Sequence, residues 1–259
     1  MKVKNNENVS SIEKAFEILE VLARPPYEYN VSEIAKVSGI NRTTVYRILS
    51  LLKGKAAVIL DEDSDKYKLG PLNYSLGSIY MGNANYENNL LKLLKELAEL
   101  SKESVGLARR DGDKVISLYE VESYQPDKMH YKSGTFYPMN KGCYGKCLMA
   151  YYDPERVKTL LYKQTYEKTC SNTLTDPQEI LEEYERIRKQ GYVHSVSETQ
   201  EYVIGVGAPV FESKGQVRIC IAISFIKADD FEEKMEWLGQ LILKYSLEIS
   251  KLLPRSARM

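Results

Sequence analysis

Histidine and cysteine are scarce in this chain, with two His (His130 and His194) and four Cys in 259 residues. No triad spacing, P-loop, dinucleotide fingerprint or zinc signature can be assembled from what is left, so the common reagents of acid-base, nucleophilic and metal chemistry are missing. The expectation is a protein that is not an enzyme, with no catalytic residues, no metal ligands and no cofactor. The four thiols are scattered through a chain long enough to bury its own core, and they read as reduced Cys rather than as a disulfide framework. Cys143 and Cys147, four residues apart, could share one helix face, but no His or second Cys pair accompanies them, which favours packing over chemistry. An excess of either charge is lacking too, since 36 Lys plus Arg balance 36 Asp plus Glu. Bulk charge alone argues against a nucleic-acid binder. The longest apolar stretch, near Ile219 to Ile226, falls far short of the ~20 residues that span a bilayer, which excludes a helical membrane protein. The opening MKVKNNENVSS has no apolar core of a secretory signal, so a cytoplasmic location is expected. Internal repeats and low-complexity tracts are also absent.

What is present begins with three short helical signals. Ile12, Ala15, Phe16, Leu19, Leu22 and Ala23 recur at helical spacing behind a capping box of Ser10 and Glu13, and Pro25-Pro26 stops that helix. Asn30 and Glu33 repeat the box ahead of Val31, Ile34, Ala35 and Val37, and Gly39 ends this second face. Asn41 caps a third helix lined by Val45, Ile48, Leu49 and Leu52, with Gly54 placed to end it. Next come two strand-like runs, Ala57 to Leu60 and Lys66 to Leu69, around the turn formers Asp61 to Asp65, the outline of a hairpin wing. Leu72, Leu76 and Ile79 are roughly helical in a linker that leads to a polar stretch, Gly82 to Asn89, where the domain boundary is placed.

Helices and strands alternate in the remainder. Leu90, Leu93, Leu94 and Leu97 form one helix face. Val105 to Arg109 and Val115 to Tyr119 flank Asp111-Gly112, a hairpin signal. Asp176, Pro177 and Glu179 start a helix that Gly191 ends. Val203 to Phe211 and Val217 to Ile226 read as buried strands, and a final helix covers roughly Phe231 to Leu253. Lys141 to Lys146 is too unlike a Walker loop to bind a nucleotide, but backbone amides at a helix N-terminus there would attract a carboxylate or another anion.

The third helix carries the case for DNA. Its apolar residues face inward, leaving Arg42, Thr43, Tyr46, Arg47 and Ser50 on the opposite side, and these types contact base edges and phosphates. Between Val31 and Lys55 five basic residues stand against one acidic residue, a local surplus hidden by the neutral total. An ordinary three-helix bundle with a solvated face would also give one amphipathic helix. Capped helices, glycine turn, surface types and hairpin in that order favour a helix-turn-helix. The wing tip is acidic at Asp61, Glu62, Asp63 and Asp65, so any phosphate contact from the wing falls to Lys66 or Lys68.

The stretch NVSEIAKVSGINRTTVYRILSLLKGKAAVI, with the hairpin and YKLG after it, resembles the winged helix-turn-helix of the IclR (isocitrate lyase regulator) family of bacterial transcription regulators. GTFYPMNKGCYGKCLMAYY resembles that family's strand-to-helix segment. SNTLTDPQEILEEYERIRKQGY, ETQEYVIGVGAPVF and GQVRICIAIS resemble its longer C-terminal signature, and the likeness runs from about Ser10 to Leu253. The resemblance implies an α+β chain: a winged helix-turn-helix over 1–70, a linker helix over 71–86, and over 87–259 a GAF-like α/β effector-binding domain with an antiparallel sheet. It implies a sequence-specific regulator, repressor or activator, that binds double-stranded operator DNA as a homodimer or dimer of dimers (homotetramer) and whose affinity is tuned by a small carboxylate or aromatic effector. DNA contacts would come from Arg42, Thr43, Thr44, Tyr46, Arg47 and Lys66. Carried over position by position, the effector pocket takes backbone amides at Cys143 and Tyr144, an apolar Met129, and the positions Ser195, Gly205, Ala222 and Ser224. Small carboxylate binders have an acidic residue at Ser195 and larger polar ones at Gly205 and Ala222, so this pocket is expected to be roomier, less polar and suited to a larger or aromatic acid. The competing reading is a small-molecule sensor or enzyme that keeps the helix-turn-helix for dimerisation.

Overall fold

A computed structural model describes residues 10–82, 87–121, 132–212 and 215–253. The chain divides into two compact units, Met1–Asn85 and Tyr86–Met259. In the first, helices α1 (Ser11–Leu22), α2 (Val31–Ser38) and α3 (Arg42–Gly54) precede a hairpin of β1 (Val58–Asp61) and β2 (Lys66–Leu69) and a helix α4 (Pro71–Gly82). Both capping boxes form, Ser10 with Glu13 and Asn30 with Glu33. The Asn41 side chain accepts from the amides of Thr43 at 2.8 Å and Thr44 at 3.4 Å. Gly39 takes a left-handed conformation with φ 70°, which lets the chain turn sharply from α2 into α3. Ile18, Leu22, Ile34, Val45, Ile48 and Leu49 form the core, closed on one side by Val58 and Tyr67 of the hairpin.

Two details differ from the sequence expectation. On α1 the buried stripe is Ile18, Val21 and Leu22, while Ile12 and Phe16 stand 70% and 63% exposed. The helix carries two overlapping apolar stripes, and the position of α2 and α3 selects one. Helix α3 runs through Gly54, and the left-handed residue that follows its end is Ala56, with φ 55°.

The second unit contains α5 (Glu87–Ser101), β3 (Ser104–Asp111), β4 (Lys114–Val121), β5 (Phe136–Tyr137), α6 (Cys143–Ala150), α7 (Pro154–Tyr162), α8 (Pro177–Gln190), β6 (Val193–Val196), β7 (Val203–Phe211), β8 (Val217–Ile226) and α9 (Phe231–Leu252). The strands form one sheet in the order β5-β4-β3-β8-β7-β6, every neighbouring pair antiparallel. Helices α5 and α9 pack on one face and α6 on the other. Covering both faces explains why β7 and β8 read as nearly continuous apolar runs instead of alternating ones. Among the described residues no helix is long and apolar enough to cross a membrane.

Candidate functional site

Two surfaces stand out, one in each unit. Burial of Val45, Ile48 and Leu49 fixes the rotation of α3 and leaves Arg42, Thr43, Tyr46, Arg47 and Ser50 exposed, with Thr44 half-buried. Because the Asn41 side chain occupies the first free amides, the helix starts cleanly with Arg42 in its opening turn. The wing is less available. Lys66 lies 3.1 Å from Glu28, and Lys68 lies 3.2 Å from the same carboxylate and 3.5 Å from Asp61. These pairs hold the Glu28 carboxyl below the usual carboxylate range. They are solvent-screened surface pairs, so a phosphate could exchange with them at small cost.

The second surface is a cavity of about 300 Å³ between the sheet and the start of α6. Strand register builds its floor. Ser195 pairs with Gly205, Gly205 with Ser224, and Ser224 with Ser104, giving a row of small residues across four strands. The adjacent row runs Gly207, Ala222, Gly106, Glu120. A Cβ at Gly205 would stand 2.7 Å from Cys143 Sγ, and one at Gly207 2.9 Å from Cys143 Cβ. The missing side chains therefore let the N-terminus of α6 sit directly on the sheet. At the far side, the Tyr144 hydroxyl lies 3.2 and 3.4 Å from the two Glu120 carboxylate oxygens, and its ring meets Tyr137 edge-on with centroids 4.9 Å apart. A Cβ at Gly106 would collide with both Glu120 and Tyr144.

Beneath the cavity lies a buried charge network. Lys146 is 1% exposed, and its ammonium donates to Glu198 at 2.5 Å, Glu183 at 2.8 Å and the His194 carbonyl at 2.7 Å. Burial alone would lower its pKa, but the two carboxylates overcome that and raise it. The other Glu198 oxygen accepts from the Gly142 amide at 2.9 Å and the Ser195 hydroxyl at 3.0 Å. Gly142 has φ 75°, a conformation a side chain would strain. Glu198 thus ties α6 to β6 at the cavity's edge. Cys143, Cys147 and Cys220 are buried, and burial pushes the Cys143 thiol far up, which keeps it protonated and unreactive. Among the described residues no group of three or more His, Cys, Asp or Glu stands ready to hold a metal.

The family model described as IclR helix-turn-helix domain matches residues 11–54, and that described as bacterial transcriptional regulator IclR C-terminal matches residues 80–251. The chain belongs to the IclR family. One relative, the HTH-type transcriptional regulator KdgR of Escherichia coli (strain K12), is 28% identical over 90% of this chain and 88% of its own length. The crystal structure of an IclR regulator from Alicyclobacillus acidocaldarius superposes with a TM-score of 0.77 at 24% identity, covering 95% of this chain and all of the other. An IclR homolog from Microbacterium hydrocarbonoxydans, solved in complex with 4-hydroxybenzoate, has a TM-score of 0.76 at 18% identity, with coverage of 95% and 100%.

In this IclR-family chain six of the seven positions named for the effector pocket, Cys143, Tyr144, Ser195, Gly205, Ala222 and Ser224, line the one cavity. Met129 lies outside the described residues. Small residues do stand at Ser195, Gly205 and Ala222, but Ser104, Glu120, Lys132, Thr135, Thr199 and Gln200 add polar groups from other elements. Sequence reasoning missed these, as it missed Lys146 and Glu198. A carboxylate inside the apolar strand Val115 to Val121 and a lysine within the otherwise uncharged CYGKCLMA were the available signals, because strands disfavour Glu and full burial disfavours Lys.

Proposed function

We propose that this regulator reads a two-fold operator through α3, with Arg42, Thr43, Thr44, Tyr46 and Arg47 in the major groove and Lys66 on the backbone, and that an organic acid in the cavity alters its grip. The single observation that carries the effector half is the meeting of six separately named positions, from four elements, at one cavity. Its volume falls at the lower end of the ~300–1,000 Å³ typical of ligand pockets. The amides of Cys143 and Tyr144 open α6, where helix geometry leaves first-turn N–H groups without intrahelical acceptors and the dipole favours an anion. A larger or aromatic carboxylate would place its charge there. The 4-hydroxybenzoate held by a protein of the same fold supports such a ligand. Exposed Ile12, Phe16, Tyr74, Leu76 and Ile79 on α1 and α4 favour self-association through the first unit, as a dimer or dimer of dimers. Effector binding would act as a coupling free energy of ~1–3 kcal/mol, with α4 as transmitter.

Gel shifts on the chain's own upstream intergenic DNA test the DNA half. Specific shifts should vanish or weaken more than about tenfold in Arg42→Ala and Arg47→Ala, each of which removes ~1–3 kcal/mol of base discrimination, with effector binding intact. Unchanged footprints in both variants would refute the recognition helix. Absence of any specific shift in the native chain would instead favour a sensor whose helix-turn-helix only dimerises.

A further inference from the structure

We propose that Glu28 limits this regulator's grip on DNA by competing with backbone phosphate for the wing lysine Lys66. The proposal rests on the recognition-helix reading above and adds a residue that itself need not touch DNA. Backbone pairing holds the competing carboxylate in place. Tyr29 and Tyr67 form an antiparallel bridge, the Tyr29 amide donating to the Tyr67 carbonyl at 3.1 Å and the Tyr67 amide to the Tyr29 carbonyl at 2.8 Å. Residues 28–30 therefore run along β2 in the manner of a third strand. Tyr29 and Tyr67 pack on the core, and because side chains alternate along extended chain, Glu28, Lys66 and Lys68 share the outer face. The Tyr29 hydroxyl donates to the Pro25 carbonyl at 2.5 Å and Asn30 caps α2, so the segment is fixed at both ends. Strand β2 also borders the reading face, since burial first, and then Tyr46 of α3 and Asp65 of the wing turn, raise the pKa of the Tyr67 hydroxyl.

Lys66 and Lys68 are the only basic residues in 58–69, against Asp61, Glu62, Asp63 and Asp65. Their attachments differ. Among the described residues Lys66 has Glu28 as its one ion-pair partner, at 3.1 Å. Lys68 has Glu28 at 3.2 Å and Asp61 at 3.5 Å, and Asp61 is itself anchored by the amides of Asp63 and Ser64, each at 3.1 Å. Removing the Glu28 charge thus frees Lys66 and leaves Lys68 engaged. Counting ions shows the effect on DNA. A lysine that docks on a phosphate releases about one condensed cation from the duplex. When Lys66 leaves Glu28 to do so, the bared carboxylate gathers a cation in return and the net release is close to nil. While Glu28 is charged, Lys66 adds little to affinity or to its salt dependence.

Fluorescence anisotropy on the full chain, over a salt series with the upstream intergenic duplex and a scrambled duplex of equal length, tests this. Glu28→Gln should tighten binding to both duplexes roughly two- to tenfold at about 0.1 M salt and steepen the log-log slope by about 0.9, one added phosphate. Glu28→Ala should match it, and thermal melts should show both variants folded, because solvent-screened pairs add little stability. Lys66→Gln should cost little in the native chain and cancel the gain in Glu28→Gln, whereas Lys68→Gln should leave most of that gain. An unchanged slope in both Glu28 variants would overturn the proposal and leave the recognition-helix reading standing. A gain that persists without Lys66 would overturn it too, marking a bulk charge effect, as would a gain that depends on Lys68 instead. Steeper slopes on both duplexes with no preference for the intergenic one would overturn the recognition-helix reading and keep Glu28 in its role. Absence of binding to either duplex by every variant would overturn both.

Discussion

At the residue scale the most consequential side chain in the sensing unit is Lys146, since it is fully buried between two carboxylates and a carbonyl. Removing one member of a buried charge network strands the others, so Lys146→Met is expected to cost ~3–5 kcal/mol of stability, measured by urea denaturation. Full stability in that variant would show that the carboxylates find other partners. His194 gives a second expectation. Burial, its largest influence, holds its pKa below the ordinary value, against the neighbouring Glu236 and Glu183 and with the aid of Lys146. The unfolded chain therefore binds a proton below pH ~6.5 that the folded chain resists, and stability falls as pH drops from there toward the lowered folded value. His194→Gln should flatten that segment of a melting-temperature profile. An unchanged profile would assign the slope to other groups.

Elements translate these local choices into positions. Helix α3 starts at Arg42 because Asn41 caps it, its side chain accepting from the first amides. Asn41→Ala should cost ~0.5–2 kcal/mol of stability and weaken operator binding, seen together in thermal melts and gel shifts. Loss of stability with operator affinity untouched would mean that the groove contacts do not depend on this helix start. The caps, the glycine stops at Gly39 and Gly191 and the strand limits follow local chemistry, which is why Val203–Phe211 and Val217–Ile226 begin and end where their apolar runs do. The face that α1 buries does not follow it. Ile12 and Phe16 have the same spacing and apolarity as residues that are buried, and only the packing partners distinguish them.

For the whole molecule, the balance of 36 basic and 36 acidic residues is an average over surfaces with different tasks. A basic stretch from Val31 to Lys55 lies in the same unit as an acidic wing tip, whose lysines are already engaged by Glu28 and Asp61. Under the recognition-helix proposal phosphate contacts come from few side chains. Operator affinity should fall linearly on a log-log plot against salt, with a slope near −0.9 for each phosphate neutralised. Non-specific DNA should bind weakly at physiological salt, and fluorescence anisotropy on both DNAs measures the two quantities. A shallow operator slope of under one phosphate would contradict the recognition-helix reading. Local signals, namely cap residues, apolar period and the glycine at Gly39, determined by themselves the helix-turn-helix, its exposed arginines and the strands β3, β4, β7 and β8. The cavity was decided elsewhere. The two-residue turn is Gly112-Asp113, with Asp111 opposite Lys114; in simple register it would set Gly106 opposite Tyr119, but the pairing shifts between Leu107 and Ala108 and sets it opposite Glu120. Because side chains alternate along a strand, that single extra residue moves a carboxylate to the cavity face, and only long-range packing of sheet and helix fixes such a bulge.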